Sequence, residues 1–369
     1  MQEIIHIVTT ASRGGAENHL LLLSAEQVLN GKSVSVIFLK GDGNLTSKFA
    51  SGGVQIIGDI ANKNPLLQVY FLRKILRRYP GAIVHSHLPR AELVATLASG
   101  RMLRTFTRHN TEPFYPGAPK SISKMLGFFV SYKVKNCIAI SHAVKEAIVS
   151  NMEVWNHTEV KVVHYGIPVY YREQSSNLTD AVQKKIRTLR KDGILILTCV
   201  ARLVPQKDFP TLLQGFKLSL EKNANMHLLV AGDGELKLEL AEMTSELGIL
   251  DHVTWLGNVD APQELMRESD LFLLSSRYEG FGLVLLEAMQ AGCPIVAADN
   301  SAIPEVLGAN YQGLFETGDP QKLSEKITDF TNMEFAKEAR KYLFERLPKF
   351  GVLEMQKSTS AVYSELASV

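Results

Sequence analysis

At 369 residues, 46% hydrophobic and 21% charged, the sequence has the size of two α/β domains and a composition unlike that of a disordered or fibrous chain. Three cysteines, Cys137, Cys199 and Cys293, stand far apart and in no C-x-x-C pair, which argues against a zinc site and fits a reducing compartment. The net charge of +2 hides a division: residues 1–150 carry 18 Lys and Arg against 8 Asp and Glu, and the remainder is acidic. A basic first half is expected to face something anionic.

No run reaches the roughly 18 apolar residues of a membrane span. Met1-Gln2-Glu3 offers no basic region before a short apolar run, so no secretion signal is expected.

Residues 4–8 read as a first strand, followed by a small-residue loop over 9–15 that ends in Gly14-Gly15. Residues 16–29 read as a helix. The loop is not G-x-G-x-x-G, so the dinucleotide fingerprint is absent. Further strands are expected at 34–39, 54–57, 82–85 and 103–107. Helical stretches between them give a βαβ pattern and a mostly parallel sheet. Two stretches, 66–78 and 121–135, can be drawn as basic amphipathic helices of the kind that lie on anionic membranes. The plain alternative is that each packs its apolar face on the sheet.

Histidines gather here: His85, His87, His109 and His142. His87 and His109 lie at strand ends, at the carboxyl edge where open α/β sheets bind ligands. Each could equally be a structural histidine. A strand at 137–140, a helix at 142–149 capped by Ser141, and a strand at 160–164 complete the half. The pattern breaks at Tyr165-Gly166-Ile167-Pro168, and 169–177 is irregular and polar, so the domain boundary is expected at 166–176.

A helix near 180–190 precedes a new α/β rhythm. The strand at 194–200 exits through a loop carrying Arg202 and Lys207, and a helix follows over 209–220. The strand at 227–231 exits through Gly232-Asp233-Gly234-Glu235. The strand at 253–256 exits through Gly257-Asn258-Val259, and a helix starts from Pro262. Residues 322–369 read as largely helical.

The densest signal is Ser276-Arg277-Tyr278-Glu279-Gly280-Phe281-Gly282-Leu283 followed by Val284-Leu285-Leu286-Glu287. Residues 271–274 are a buried strand, 283–291 a helix stopped by Gly292 and Pro294, and 295–298 the next strand. Free N–H groups and the dipole at a helix start attract anions, and glycine lets a ligand approach the backbone. A carboxylate beside an anion site is odd unless it accepts from ligand hydroxyls. A sugar nucleotide offers both phosphates and hydroxyls. The bare alternative for Glu279 and Glu287 is one turn residue and one solvated helix residue. The helix dipole supplies only about half a charge. Arg202 and Lys207 are therefore candidates to complete a diphosphate site.

The segment from Glu279 to Glu287 resembles the E-x7-E signature of family 4 glycosyltransferases. That resemblance implies a GT-B fold, two Rossmann-like α/β domains facing across a cleft. The expected division is 1–166 on the acceptor side, 167–190 as linker, 191–350 holding the nucleotide-sugar, and 351–369 as a terminal helix crossing back to the first domain. It implies retaining transfer without a metal, consistent with the lack of any D-x-D, and no cofactor. Glu279 would hold sugar hydroxyls and His109 would reach the donor sugar. Arg202, Lys207 and the backbone of Gly280, Phe281, Gly282 and Leu283 would clamp the diphosphate, and Glu287 would hold the ribose. Gly14, Gly15, Gly232 and Val259 would line the donor site, and His87 the acceptor side.

Residues 260–264 lack the readers of a GDP-mannose-using relative, which favours UDP. Ser301-Ala302 departs from the family's glycine pair before Pro304-Glu305. The expected partners are a nucleotide-sugar, a glycan or lipid-linked acceptor and an anionic membrane surface. The expected location is the cytoplasm, peripheral on the inner face of the membrane, in bacterial surface polysaccharide or glycolipid synthesis. An epimerase of the same fold and a non-enzymatic nucleotide-sugar-binding protein stay open as alternatives.

Overall fold

The computed structural model describes residues 3–10, 14–41, 45–115, 117–169 and 178–367. The middle of the 9–15 loop, most of the irregular 169–177 stretch and the last two residues of the expected terminal helix lie outside them. The chain divides into two compact units, residues 1–167 with 350–369, and residues 168–349.

In the first unit β1 (Glu3–Thr10), α1 (Gly15–Leu29), β2 (Ser33–Lys40), α2 (Thr46–Ser51), β3 (Gln55–Ile56) and α3 (Pro65–Leu76) come first. They are followed by β4 (Ile83–His87), α4 (Pro89–Ala98), β5 (Leu103–Arg108), α5 (Lys120–Ser131), β6 (Asn136–Ala139), α6 (His142–Ser150) and β7 (Glu159–Val162). Among the described residues these seven strands form one parallel sheet in the order β3-β2-β1-β4-β5-β6-β7. Apolar runs cover both faces. Ile5, Ile7, Val84, Leu72 and Val94 pack on one side. Val8, Leu20, Val36, Phe38 and Phe49 pack on the other. That double coverage is what an all-parallel sheet requires.

The second unit runs α7 (Asp180–Lys191), β8 (Leu195–Val200), α8 (Phe209–Lys222), β9 (Met226–Ala231), α9 (Lys237–Glu246), β10 (Val253–Gly257) and α10 (Pro262–Arg267). It continues with β11 (Leu271–Leu274), α11 (Leu283–Gln290), β12 (Ile295–Ala298), α12 (Ile303–Leu307), β13 (Leu314–Phe315), α13 (Pro320–Phe330) and α14 (Met333–Arg346). Its six described strands are parallel, in the order β10-β9-β8-β11-β12-β13. Helix α7 falls within the stretch expected to link the domains, yet Val182, Ile186 and Leu189 are buried against Ile196 and Leu229 of the sheet.

The last helix, α15 (Val352–Ala367), belongs to the first unit. Met355 and Val362 pack with Leu23, Ile138 and Val163, and Tyr363 and Leu366 with Ile4 and Ile83. Gly166 allows the return: a Cβ there would sit 2.8 Å from the Gly351 carbonyl oxygen.

Both expected amphipathic helices form, and each buries part of its apolar surface and exposes the rest. Helix α3 is capped by Asn64, which accepts from the Leu67 N–H at 2.9 Å; it buries Leu72 and Leu76 and leaves Leu66, Leu67 and Tyr70 exposed. Helix α5 ends at Ser131, before the expected 135, because Lys133 turns at φ +61 to start β6. Its inner face carries Ser123, Gly127, Val130 and Ser131. Gly127 lies so close to Glu153 that a Cβ would meet the Glu153 carbonyl oxygen at 2.5 Å. Val130 is buried and Leu126 and Phe128 half-buried, whereas Met125 and Phe129 point outward, 61% and 42% exposed. No described helix is long and apolar enough to cross a membrane.

Candidate functional site

Both sheets reverse their strand order at one place, between β1 and β4 and between β8 and β11. Open α/β sheets bind ligands outside the carboxyl ends of the strands at such a switch point. The singled-out residues of each unit leave those strands or their neighbours.

In the second unit, Lys207 and Glu279 leave β8 and β11. Lys207 Nζ lies 2.6 Å from Glu279 Oε1, with both side chains mostly buried. The Ser276 hydroxyl donates to the same oxygen at 2.7 Å, and the Glu279 N–H donates to Ser301 Oγ at 3.3 Å. The two loops are also tied by backbone. The Arg277 N–H donates to the Gln206 carbonyl at 2.8 Å, and Ser275 Oγ donates to the Lys207 and Asp208 carbonyls. Asp208 and Ser301 hold φ near +47, a region unfavourable to non-glycine residues. Such strain collects at functional sites because surrounding contacts must over-determine it.

Gly282 opens α11 at φ +84, which places the start of the helix beside Glu279. The Phe281 side chain is buried, so only its backbone faces the turn. Glu287, on α11, is partly buried, and burial pushes its carboxyl up to about 7. Arg202 is exposed on the β8 exit loop and has no ion-pair partner among the described residues. Gly232 crosses that loop closely: a Cβ would sit 1.9 Å from the Ala201 carbonyl oxygen, and its N–H donates to Gly257 O at 2.7 Å. Val259 packs on the nearby core with Leu256. Each segment named from the sequence thus meets at least one other around the ends of β8, β9, β10 and β11.

In the first unit, His87 ends β4 and His109 follows β5. Nδ1 of His87 lies 3.2 Å from Nε2 of His109, and Nδ1 of His109 lies 2.5 Å from the Tyr165 hydroxyl. His6 of β1 joins them, its Nδ1 3.0 Å from His87 Nε2 and its Nε2 2.9 Å from Gln27 Oε1. His19 of α1 stacks on Tyr165 at 4.4 Å and stands 5.6 Å from His109. Desolvation keeps every ring in this group from charging. It lowers His6 to about 4 and His109 to about 3, and holds His19, His85 and His87 well below the usual range. Gly14 precedes α1, and a Cβ there would meet the Glu17 carboxylate at 2.5 Å. Thr10 Oγ1 donates to Glu17 Oε1 at 2.5 Å, tying the end of β1 to the first turn of α1.

His109 is anchored from behind. Arg108 is buried between Glu92 and Glu153, 3.1 Å from each, and lies 4.2 Å over the Phe114 ring. Leu88, directly after His87, holds φ +74.

A model of the group 1 glycosyl transferases matches residues 181–348, and a model of glycosyltransferase family 4 matches residues 13–170. The chain belongs to the family 4, group 1 glycosyltransferases. It is 25% identical to an uncharacterized glycosyltransferase of Methanocaldococcus jannaschii, over 64% of this chain and 62% of that one. It is 24% identical to the capsular polysaccharide biosynthesis glycosyltransferase CapM of Staphylococcus aureus, over 91% and 90%. Its fold matches the crystal structure of Anabaena HepE in complex with UDP-glucose, with a TM-score of 0.79, 21% identity and full coverage of both chains. The fold of this glycosyltransferase is GT-B.

Sequence reasoning about this glycosyltransferase named the ends of the hydrogen-bonded groups and missed their middles. Ser276 and Glu17 lie in stretches that the sequence singles out, with no role of their own read there. His6 and His19 were not weighed, although a histidine inside the apolar run Ile4-Ile5-His6-Ile7-Val8 is a visible irregularity. His142 does not join the group; its ring lies 6.3 Å from His164.

Proposed function

We propose that this glycosyltransferase moves a sugar with retention from a nucleotide-sugar, a UDP-sugar in preference, to a glycan or lipid-linked acceptor in bacterial surface polysaccharide or glycolipid synthesis. The observation that carries the reading is the Lys207–Glu279 pair beside the glycine start of α11. A cation, a carboxylate and a helix N-terminus in one place suit a ligand with both phosphate and hydroxyls. Arg202, Lys207 and the backbone over 280–283 take the charge of the leaving diphosphate. Glu279 accepts from sugar hydroxyls, Glu287 from the ribose, and Gly232 and Val259 flank the base. Gly14, Gly15 and His109 contact the sugar side, and His87 stands toward the acceptor. In the transfer the bond from the anomeric carbon to the diphosphate breaks, the acceptor oxygen bonds to that carbon, and the acceptor proton passes to a phosphate oxygen. Side-chain cations do the work of a metal, so no cofactor is required.

Relatives agree in kind: CapM is a capsular polysaccharide biosynthesis glycosyltransferase, and HepE was crystallised with UDP-glucose. The outward apolar residues of α5 and its lysines support docking of the first unit on anionic lipid at the inner face of the membrane, next to a lipid-linked acceptor.

Incubation with a panel of UDP-sugars in EDTA, with and without lipid-linked and soluble acceptors, tests the reading. Nucleotide release that depends on acceptor is expected. Turnover of a sugar nucleotide without acceptor identifies an epimerase instead, and binding without release a non-enzymatic protein.

A further inference from the structure

The histidine group forms a continuous chain whose hydrogen bonds share one direction. Gln27 Oε1 can only accept, so the His6 Nε2 that faces it at 2.9 Å must carry a proton. A neutral ring has one donor and one acceptor nitrogen. His6 Nδ1 then accepts from His87 Nε2–H at 3.0 Å, and His87 Nδ1 accepts from His109 Nε2–H at 3.2 Å. His109 Nδ1 accepts from the Tyr165 hydroxyl at 2.5 Å. On the far side, Gln27 Nε2 donates to the Tyr363 hydroxyl at 3.4 Å. Tyr363 donates to His85 Nδ1 at 2.6 Å, and His85 Nε2–H donates to Thr107 Oγ1 at 2.7 Å. Every ring nitrogen of the chain is used once.

We infer that Gln27 is a positioning residue for the transfer reaction: through His6 and His87 it holds His109 in one tautomer, Nε2 protonated and Nδ1 accepting from Tyr165. The inference rests on the reading of His109 as a residue of the sugar site. Its consequence is that His109 meets the sugar as a fixed neutral ring and takes no proton from the acceptor. Burial supports this independently, because a charged ring would present two donors and break the chain in the interior. The side-chain amide is the natural determinant: reversing it would reverse every bond down to His109.

His6, His85 and His87 also lie close enough together to hold a metal ion. All six of their ring nitrogens are engaged in the chain, so a metal would have to break it.

The test is 15N–1H long-range correlation NMR on the 15N-histidine-labelled full chain, with His109 assigned by His109→Gln. Wild type is expected to show His109 as a single Nε2–H tautomer from pH 6 to 8. In Gln27→Glu the ionised carboxylate can only accept from His6, as the amide oxygen does, so the same tautomer is expected. In Gln27→Leu the polarity is no longer set, and His109 should show both tautomers. Turnover should then fall about tenfold, the usual scale for loss of an outer orienting partner, with UDP affinity unchanged. Gln27→Glu should restore turnover, which excludes simple misfolding. An Nδ1–H tautomer in wild type overturns the inference, as does an unchanged single tautomer in Gln27→Leu. Stoichiometric zinc uptake by the wild type also overturns it. Mixed tautomers with unchanged turnover overturn the positioning role, and full activity of His109→Gln overturns the reading of His109 itself.

Discussion

Lys207 Nζ stands 2.6 Å from Glu279 Oε1, joining two residues 72 positions apart that sequence reasoning gave to different parts of one ligand. In the free protein each neutralises the other, so neither is buried as a lone charge. On the proposed function a diphosphate would compete for Lys207 and sugar hydroxyls would take its place on Glu279, so the pair would couple phosphate recognition to sugar recognition.

Replacing Lys207 should therefore disturb both. Lys207→Ala is expected to lower UDP affinity about 10- to 100-fold, the scale of a charged hydrogen bond. Exposed Arg202→Ala should cost less, since solvent screens its charge. Isothermal titration with UDP measures both, and unchanged affinity in the two variants removes the diphosphate clamp.

Glu279→Gln keeps the shape of the turn but loses the carboxylate. Turnover with a UDP-sugar should fall about 100-fold or more, while UDP alone binds nearly as before. Equal loss of UDP affinity and turnover would place Glu279 on the phosphates rather than on the sugar.

Glu287 is expected to make stability depend on pH. Its carboxyl is raised to about 7 in the folded protein, against an ordinary value near 4.5. Between those two values the folded state keeps a proton that the unfolded state has lost. The unfolded state binds fewer protons, so this contribution is present below about pH 4.5 and is lost as pH rises to about 7. Glu92, raised to about 7 by burial, contributes the same way, so the difference between wild type and Glu287→Gln isolates Glu287. Urea unfolding at pH 4.5 to 7.5 should show Glu287→Gln gaining on wild type as pH rises, and parallel curves would exclude the effect.

Gly232→Ala tests the packing between the β8 and β9 exit loops. The added Cβ would sit 1.9 Å from the Ala201 carbonyl oxygen, at φ +142. Backbone must shift, and a loss of roughly 2–4 kcal/mol is expected. Gly248→Ala, at φ +69 with open space around it, carries strain alone and should lose about 1 kcal/mol. Thermal unfolding separates the two, and equal losses would place the cost in φ rather than in the contact.

Docking on lipid should follow charge. Reversal of Lys120, Lys124 and Lys133 to Glu is expected to abolish co-sedimentation with anionic vesicles while sparing UDP binding. Each basic residue near such a surface contributes about 1 kcal/mol. Lys135 is left alone because its Nζ donates to the Glu365 carbonyl of α15 at 2.8 Å. Binding that is indifferent to lipid charge would make α5 an ordinary surface helix.

The sequence by itself determined the strand–loop–helix units, the parallel sheets and the glycine turn that opens α11. These depend on local spacing: apolar runs, helix formers, and Gly282 at a position where φ is positive. It also placed Arg202, Lys207, Glu279, His87 and His109 at strand exits. Only the tertiary structure decided what those residues touch. Lys207 meets Glu279 because β8 and β11 are neighbours in the sheet, although two other strands separate them in sequence. His6 meets His87 because β1 lies beside β4, and Tyr363 reaches His85 across 278 residues because the last helix returns to the first sheet. Strand order and the path of a terminal helix are set by burial of whole faces, and no local pattern encodes them. The positive φ of Leu88, Asp208 and Ser301 is hidden for the same reason: contacts from distant segments hold these residues where their own preferences would not.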